Sequence, residues 1–482
     1  MQFPIDKLSD NVWEIPTAYS KYMKVPARIY ADKSLLEAMK GDDTLTQSVN
    51  ISQLPGIYKY SITLPDGHQG YGFPIGGVAA FDLEEGIITP GGVGYDINCG
   101  VRLIRTNLTF KDVDPKKQEL IDRIFQLVPC GVGVGSKLKL SEKELDRAVS
   151  EGVSWAVEKG YGWDRDPSHS EEGGCMKEAN PDKVSDRAKK RGATQLGTLG
   201  AGNHFLEIAR VKDVFDERAA KVYGITGPDQ VVVWVHTGSR GYGHQIATDY
   251  IRVMERAASK YNIRVPSREL ACAPVKSREA QDYYEAMSCA VNWAFINRHI
   301  IMHQVRQAFE DVLKRSADEM GMDMVYGMTH NTAKKEEHTV DGKRVQCVVH
   351  RKGAARAFGP GRSDLPQEYK STGQPVLLVG TMGTASYLLR GTEEGEELSF
   401  ASTAHGAGRV MSRSGAKRKF AANDIINDLR RKGIVVKAAS SRVVEEESPD
   451  SYKDIHRVAD VSHRVGLAKK VMMSIPMAVA KG

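Results

Sequence analysis

The chain has 482 residues, of which 41% are hydrophobic and 27% are charged, and its formal net charge is +6 at pH 7. This composition supports a large buried core, and the mild net charge does not by itself establish a nucleic-acid role. With no basic-then-apolar leader, no apolar run near ~18 residues and six cysteines without paired spacing, we expect a cytoplasmic protein without a membrane partner.

Two amphipathic helices are predicted before residue 160. The Asp-Pro pair at 114–115 can start the first, whose apolar side chains share one face until Pro129 stops it. Ser141 and Glu144 can form a capping box for the second, and Gly160 can end it.

A long loop, a long helical region and several buried strands are predicted farther along the chain. Residues 164–182 are rich in Gly, Ser, Pro and charge, which predicts a surface loop that could gate substrate. Residues 278–315 are typical of one long helix or two. Apolar runs predict buried strands at 231–235, 345–349, 376–379 and 434–436. Together these elements predict a mixed α/β (α+β) fold.

The glycine-rich run at residues 91–100 is the most informative stretch, because it places Asp96 and Cys99 three residues apart. Glycine permits positive φ and close backbone approach, so both side chains can turn toward one point while N–H groups stay free for an anion. We interpret this pair as half of a metal site. The alternative is a glycine-rich turn beside a buried thiol, because a lone Asp-x-x-Cys lacks the four-ligand spacing of a zinc module.

Three histidines occupy similarly constrained positions. His204 follows a run of small residues, His236 ends an apolar run, and His330 lies between Thr329 and Asn331. Strand ends and loops on a rigid scaffold are where α/β proteins build sites, although each histidine alone also fits a hydrogen-bonded structural role. Together with the carboxylate and the thiol, they form a mixed hard and soft donor set that can hold one or two divalent ions.

Cationic residues lie next to these motifs. Arg191 ends a basic run that leads toward the 202–207 block, Arg240 follows the 231–235 run, and Arg409 and Arg413 lie in or beside glycine-rich turns. Cations beside a proposed site suit a phosphate backbone, so these four arginines are predicted to contact nucleic-acid phosphates. The basic run at 417–419 fits a solvated surface equally well.

Five blocks of the chain together resemble the signature motifs of the RtcB family of tRNA-splicing RNA ligases, in the family's order. These blocks are Asp-Ile-Asn-Cys-Gly at 96–100, Gly-Asn-His-Phe-Leu-Glu at 202–207, His-Thr-Gly-Ser-Arg-Gly at 236–241, His-Asn at 330–331 and Ala-His-Gly-Ala-Gly-Arg at 404–409. The resemblance runs from about Asp66 to the last residues, and five long motifs are far more specific than a single glycine pattern.

The resemblance implies one integrated catalytic domain over residues 1–482, with a central metal and GTP pocket. It implies two Mn²⁺ ions, with the thiolate of Cys99 shared between them. The implied ligands are Asp96, Cys99, His204, His236 and His330. Length alone would suggest two to four domains, but ligands scattered along the chain must meet in one place.

The resemblance also implies a histidine nucleophile and a nucleotide pocket. His405 would attack the α-phosphate of GTP, and Glu207 with Lys481 would read guanine, whose N1 and N2 donors suit a carboxylate. Thr381 stands where the family commonly has Ser, and Val379 where Pro is frequent, so the loop geometry can differ. The implied GTP contacts are Asn203, His204, Phe205, Leu206, Glu207, His330, Asn331, Val379, Gly380, Thr381, Met382, Ser386, His405, Gly406, Ala407, Gly408 and Lys481.

The implied activity joins a 2′,3′-cyclic phosphate or 3′-phosphate RNA end to a 5′-hydroxyl end through a histidine-GMP intermediate. Its partners would be tRNA halves or broken RNA ends, and an activating archease. Asp66 is a candidate to assist the 5′-hydroxyl, with an ordinary surface turn as the alternative. One rival reading is a metal-dependent phosphodiesterase that does not ligate. Another is a non-enzymatic RNA-binding scaffold, but no aromatic single-strand platform is visible in the sequence.

Overall fold

Two large β-sheets form the framework of the protein, whose computed structural model describes residues 3–482. The strands are β1 (Asp6–Ser9), β2 (Val12–Ile15), β3 (Ala27–Tyr30), β4 (Ser61–His68), β5 (Ile75–Asp82), β6 (Ile87–Ile88), β7 (Gly100–Thr109), β8 (Phe205–Val214), β9 (Gln230–Thr237), β10 (Ala273–Pro274), β11 (Met324–Thr329), β12 (Asn331–Val340), β13 (Lys343–Lys352), β14 (Ala354–Arg356), β15 (Pro375–Leu378), β16 (Ser386–Gly391), β17 (Ser402–Ala404), β18 (Val435–Ala438) and β19 (Ala468–Lys481).

Helices cover the sheets and fill the connections between strands. They are α1 (Lys33–Lys40), α2 (Thr44–Ile51), α3 (Phe110–Val113), α4 (Lys117–Leu127), α5 (Glu142–Glu151), α6 (Val153–Glu158), α7 (Asp186–Gly192), α8 (Glu217–Val222), α9 (Arg240–Lys260), α10 (Arg278–Leu313), α11 (Glu393–Ser399), α12 (Arg413–Lys419), α13 (Ala422–Arg431), α14 (Ser441–Glu446) and α15 (Ile455–Val465).

The two sheets are mostly antiparallel, and a single residue links β11 of one to β12 of the other. The first has the order β1-β2-β3-β4-β5-β13-β12, in which only β3 and β4 run parallel. The second has the order β11-β7-β9-β8-β19-β16-β15, and β18 adds to β19 in parallel. β11 of the second sheet is followed directly by His330 and then by β12 of the first sheet. His330 therefore lies at the junction of the two sheets.

The long helix α10 is buried on nearly every side. It packs against α4, α5, α6, α9 and β9, and its buried residues come from all faces of the helix. A helix that is covered all round needs no single apolar stripe. This burial places the middle of α10 beside the ends of the strands in the second sheet.

The mixed α/β class is confirmed, and the four predicted runs fall on the strands β9, β13, β15 and β18. β9 and β15 are buried throughout, whereas Gln346 of β13 is exposed. The prediction of a buried strand is wrong for β18, whose four residues are all partly exposed. Residues 278–313 form one continuous helix. The amphipathic helix expected from the Asp-Pro pair begins with a short 3-10 turn, Asp114–Lys116, and continues as α4.

The second amphipathic helix is interrupted, contrary to its sequence pattern. Gly152 has a φ of 64° and separates α5 from α6. Ser141 caps α5 as expected by accepting a hydrogen bond from the Glu144 backbone N–H. The Glu144 carboxylate instead accepts from the Trp155 indole N–H at 2.7 Å, and so fastens α5 to α6. The continuous helix to Gly160 was therefore a wrong prediction.

The prediction of a surface loop at residues 164–182 is wrong for its central part. Asp166 and Glu171 are 1% exposed. Asp166 forms two hydrogen bonds with Arg306 of α10, at 2.7 and 2.9 Å, and Glu171 pairs with Lys334 of β12 at 2.6 Å. The segment was misread because its charged residues find buried partners far away in sequence. Its residues do not line the cavity described below, so they do not gate it.

Every helix within residues 3–482 is too short or too polar to cross a lipid bilayer. The expectation of one integrated domain over residues 1–482 stays a prediction, and its first two residues lie outside the described range.

Candidate active site

The ends of four strands of the second sheet meet at one edge of that sheet. Gly100 at the start of β7 pairs with Thr237 at the end of β9 and with Thr329 at the end of β11. Phe205 at the start of β8 pairs with His236. Antiparallel pairing therefore aligns two strand starts with two strand ends. The predicted ligands at or next to these ends are Cys99, His204, His236 and His330.

The five predicted metal ligands form two overlapping groups of donor atoms. Cys99 Sγ lies 3.4 Å from His204 Nε2 and 3.3 Å from His236 Nε2. His204 Nε2 lies 2.9 Å from Asp96 Oδ2, and His236 Nε2 lies 3.0 Å from His330 Nε2. One group contains Asp96, Cys99 and His204, and the other contains Cys99, His236 and His330. Within each group the donor atoms lie within 4.8 Å of one another. Cys99 belongs to both groups.

The protonation of this cluster suits a metal ion. Burial lowers the pKa of His236 and of His330 well below the usual value, so both imidazoles are neutral. Burial disfavours ionised Asp96, yet the hydrogen bond from His204 holds its pKa at about 2. Burial raises the pKa of the Cys99 thiol, and a divalent cation would reverse that effect. Neutral imidazole, carboxylate and sulfur are ligands for divalent transition metals, so these residues fit such an ion.

Arg298 of α10 holds the loop that carries the carboxylate and the thiol. It donates to the carbonyl oxygens of Asn98 and Thr237, at 2.7 and 2.8 Å, and to the Asn98 side chain at 2.7 Å. Gly100 leaves room for the neighbouring strand, because a Cβ there would lie 2.2 Å from the Met328 carbonyl oxygen. No motif marks Arg298, which is one of several charged residues in the long helix α10.

His405 lies next to the donor cluster, immediately after β17. Its imidazole is 4.3 Å from that of His330, measured between ring centroids. Asp66 of β4 is fully buried, and one of its carboxylate oxygens accepts from the His405 backbone N–H at 3.1 Å and lies 2.7 Å from Nδ1. Among residues 3–482, no group hydrogen-bonds to Nε2 of His405. This leaves the second ring nitrogen available to a ligand.

A cavity of about 410 Å³ opens in front of the donor cluster. Asp96, Cys99, His236 and His330 form part of its wall. Most of the predicted nucleotide contacts line it as well. These are Asn203, Phe205, His330, Asn331, Val379, Gly380, Thr381, His405, Gly406, Ala407, Gly408 and Lys481. The sequence motifs therefore converge on one concave surface.

Asn331 and Arg240 make contacts within the protein. The Asn331 side chain donates to the Asp96 carbonyl at 3.0 Å and accepts from the Gly353 N–H at 2.8 Å. Arg240, predicted to contact phosphate, donates to the Gly131 carbonyl at 3.1 Å and to Thr198 Oγ1 at 3.4 Å. Both side chains thus shape the loops around the cavity.

Leu206, Glu207, Met382 and Ser386 lie behind the cavity wall, as does the metal-type ligand His204. Ser386 accepts a hydrogen bond from the Gly380 N–H at 3.1 Å and so fixes the 380–384 loop. Glu207 is 1% exposed, and neither of its carboxylate oxygens has a hydrogen-bond partner. Burial raises its pKa well above the usual value, although the charge of Lys481 opposes this. Two orphaned acceptors beside a cavity suit a ligand that offers N–H donors.

Glu447 is a buried anchor that sequence reasoning missed. Its carboxylate pairs with Arg409 at 3.2 Å, with Arg413 at 3.3 Å and with Lys481 at 3.6 Å, and it accepts a short hydrogen bond from Tyr452. Burial opposes ionisation of Glu447, but the charge of Lys481 and of both arginines lowers its pKa. One carboxylate therefore positions three cations at the cavity. No motif around residue 447 signals this role.

Other cavity residues also escaped the sequence analysis. Tyr71, Tyr95, Lys352 and Gly353 line the cavity, and none of them was singled out from the sequence, although Tyr95 lies within the glycine-rich run at 91–100. Lys352 Nζ donates to the Gly91 carbonyl at 3.3 Å, and burial lowers its pKa to about 7. Arg191, the remaining predicted phosphate contact, is exposed and donates to Gln245 at 3.1 Å.

The fold and the buried donor set define a mixed α/β protein with a candidate metal centre in a ligand-sized cavity. A family model described as tRNA-splicing ligase RtcB matches residues 47–482. Proteins named tRNA-splicing ligase RtcB are 55% identical in Pyrobaculum aerophilum, over 99% of both chains, and 53% identical in Methanococcus maripaludis, over 100% of both. One from Thermococcus kodakarensis is 55% identical over 99% of both chains. The chain belongs to the RtcB family.

Proposed function

We propose that the protein is a GTP- and Mn²⁺-dependent RNA ligase of the cytoplasm. It joins RNA ends that carry a 2′,3′-cyclic phosphate or 3′-phosphate to 5′-hydroxyl ends, in tRNA splicing, RNA repair or both. The observation that carries this proposal is the environment of His405: Nδ1 is held by Asp66, Nε2 is free, and two groups of metal-type donors lie beside the ring. A nucleophile next to a cation site suits phosphoryl chemistry.

The metal-binding role is assigned to Asp96, Cys99, His204, His236 and His330. Two overlapping donor groups that share Cys99 suit two ions bridged by one thiolate. Bound Mn²⁺ would offset the charge of phosphates at this edge of the sheet. The Nε2 atoms of His236 and His330, 3.0 Å apart, are the ring nitrogens that would bind an ion here.

Asp66 prepares His405 for attack. By accepting a hydrogen from Nδ1, its carboxylate places the lone pair of the neutral imidazole on Nε2. Nε2 then forms a bond to the α-phosphorus of GTP as the bond to the bridging oxygen breaks, and pyrophosphate leaves with that oxygen. Asp66 is not part of the cavity wall, so we assign it this orienting role in place of direct contact with a 5′-hydroxyl.

Glu207 and Lys481 are proposed to select guanine. The two unpaired carboxylate oxygens of Glu207 can accept from the N1 and N2 donors of guanine, whereas adenine presents an acceptor at N1. Lys481, whose Nζ already donates to the Gly202 carbonyl at 3.0 Å, supplies a donor for a base carbonyl. Gly406, Ala407 and Gly408 line the cavity with backbone N–H groups suited to phosphate.

The remaining steps follow after hydrolysis of a cyclic phosphate to a 3′-phosphate. GMP passes from Nε2 to that 3′-phosphate, the 5′-hydroxyl oxygen attacks the same phosphorus atom, and GMP leaves as the new phosphodiester forms. Arg409 and Arg413, both held by Glu447, are placed to contact the RNA backbone, and exposed Arg191 can extend this contact. An archease is the proposed activating partner.

Covalent labelling tests the proposal directly. The protein is incubated with α-³²P-labelled GTP and Mn²⁺, and acid-labile, alkali-stable label on the protein is measured. Wild type and a His456→Gln control, which changes an exposed histidine outside the cavity, are expected to carry label, and His405→Ala is expected to carry none. If metal-loaded wild type takes no label but cleaves cyclic-phosphate RNA ends, the ligase is rejected in favour of the phosphodiesterase.

A further inference from the structure

Three aromatic rings from separate segments form a row at the edge of the cavity. Tyr71 and Tyr95 both line the cavity, and their ring centroids are 5.4 Å apart at an interplanar angle of 55°. His244 of α9 stacks on Tyr95, with centroids 5.1 Å apart and an angle of 26°. The three rings therefore run from the cavity wall to the surface of α9.

Most of this row does not belong to the protein core. His244 is exposed, and Tyr71 lies outside the hydrophobic clusters formed by residues 3–482. Only Tyr95 packs against one of those clusters, and it remains partly exposed. A row of rings that fills core space would be covered by apolar side chains, whereas this row ends at solvent. Packing alone does not explain the arrangement.

Basic side chains flank the row at both ends. Lys352 Nζ lies 5.8 Å from the centroid of the Tyr71 ring. At the other end, Arg191 packs beside the first turns of α9 and donates to Gln245, the neighbour of His244. Arg191 is exposed, and no carboxylate in the described part of the chain lies within ion-pairing distance of it. Burial and the charge of Arg191 lower the pKa of His244, which keeps its ring neutral at neutral pH.

We propose that Tyr71, Tyr95 and His244 form a stacking platform for the terminal nucleobase of a single-stranded RNA end. This inference rests on the proposed function and adds a binding site to it. Aromatic faces stack on every type of base, and adjacent cations hold the phosphates on either side. Tyr71 and Tyr95 share the cavity wall with Asp96 and Cys99, so a base on this platform lies beside the donor cluster.

The platform explains how one enzyme can accept ends of different sequence. Stacking uses the π-face that all four bases share, whereas hydrogen-bond readout of base edges would select one base. The structure thus supplies the aromatic surface that is invisible in the sequence, where the three residues share no local motif.

Abasic substitution of RNA tests the platform without altering the protein. Binding of the Mn²⁺-loaded wild type is measured by fluorescence anisotropy for two single-stranded ten-nucleotide RNAs, one ending in a 3′-phosphate and one presenting a 5′-hydroxyl. Each is compared with the same strand lacking the base of its terminal nucleotide. Loss of the base is expected to weaken binding about tenfold for the strand that uses the platform. Equal affinity with and without the base, for both strands, would overturn the proposal.

Protein variants locate the effect. His244→Ala and Tyr71→Ala are expected to weaken binding of the complete strand about tenfold, with no further loss on the abasic strand, and His244→Phe is expected to restore it. Tyr261→Ala, at the other end of α9, is the matched control and should bind like wild type. Equal losses on complete and abasic strands would reject the platform. Wild-type labelling by GTP is measured in parallel, so base-dependent binding without labelling would reject the ligase and keep the platform.

Discussion

Two buried polar clusters of this protein differ in how their atoms face one another. Around Glu336, donors meet acceptors: both carboxylate oxygens accept from Arg351, at 2.6 and 2.8 Å, and Lys334 pairs with Glu171 at 2.6 Å. Around Cys99, metal-type donor atoms gather: two imidazole nitrogens lie 3.0 Å apart, and the Cys99 sulfur lies 3.3 Å from one of them. The first cluster pairs opposite charges, whereas the second gathers donor atoms that could hold a metal ion.

The difference separates structural polar groups from functional ones. A buried group without a partner costs free energy, so unpaired atoms that lie beside a cavity suit a bound ion or substrate. Orphaned atoms at the site include both oxygens of Glu207 and the Nδ1 atoms of His236 and His330. The structural cluster also supports the site, because Glu171 accepts from the Thr329 N–H, at 2.8 Å, next to His330.

Removal of the shared thiol is expected to give the largest effect. Cys99→Ala takes one donor from both groups, so Mn²⁺ affinity should fall by more than about 100-fold, given that even residues behind metal ligands contribute 10–100-fold. Metal bound per chain is measured by mass spectrometry after gel filtration. Cys289→Ala removes a thiol buried in the core and should retain the metal. If Cys99→Ala retained both ions, the cluster around Cys99 would not be the metal site, and its contrast with the cluster around Glu336 would fail.

Truncation of Glu336, in the cluster of paired charges, should change stability and leave metal binding unchanged. Glu336→Ala leaves the 2%-exposed Arg351 side chain without its bidentate partner, which is expected to cost about 3–5 kcal/mol in the free energy of unfolding. Denaturant titration measures the change. The double variant Glu336→Ala/Arg351→Met should recover much of the loss. A loss of Mn²⁺ from folded Glu336→Ala would show that the two clusters are not separable.

The smallest expected effect concerns acid stability. The charge of Lys334 lowers the pKa of Glu172 from its ordinary 4.5 to about 2. Burial opposes this shift, and the charge of Arg356 adds to it. Ionised Glu172 therefore stabilises the fold above pH 4.5, and this contribution is lost as the pH falls from about 4.5 to about 2. Because Glu172 is partly exposed, Glu172→Gln should cost on the order of 1 kcal/mol above that window.

Thermal unfolding from pH 6 to pH 2 measures this contribution. The difference between wild type and Glu172→Gln should shrink across the window, whereas Glu397→Gln, an exposed residue without an ion pair among residues 3–482, should follow wild type throughout. A constant difference at every pH would show that the Glu172 charge is unimportant.

The sequence by itself determined the fold class, the family and most of the candidate residues that meet at the cavity. Apolar runs indicate strands without any knowledge of which strands they pair with. Asp96, Cys99 and His405 lie near glycines, and their residue types and spacing indicate their chemistry. The helix at 278–313 was also readable, because it is long and lacks a strong breaker.

Only the tertiary structure decided which side chains meet. The burial of Asp166 and Glu171 depends on partners far away in sequence. The support of Asn98 by Arg298 and the stacking of His244 on Tyr95 likewise join segments that share no local pattern. Strand register aligns the ends of β7, β8, β9 and β11, and it is fixed by pairing along whole strands. The local sequence determines secondary-structure propensity and the chemical type of each side chain. Which partner a buried charge or aromatic ring contacts depends on the packing of segments that are far apart in sequence.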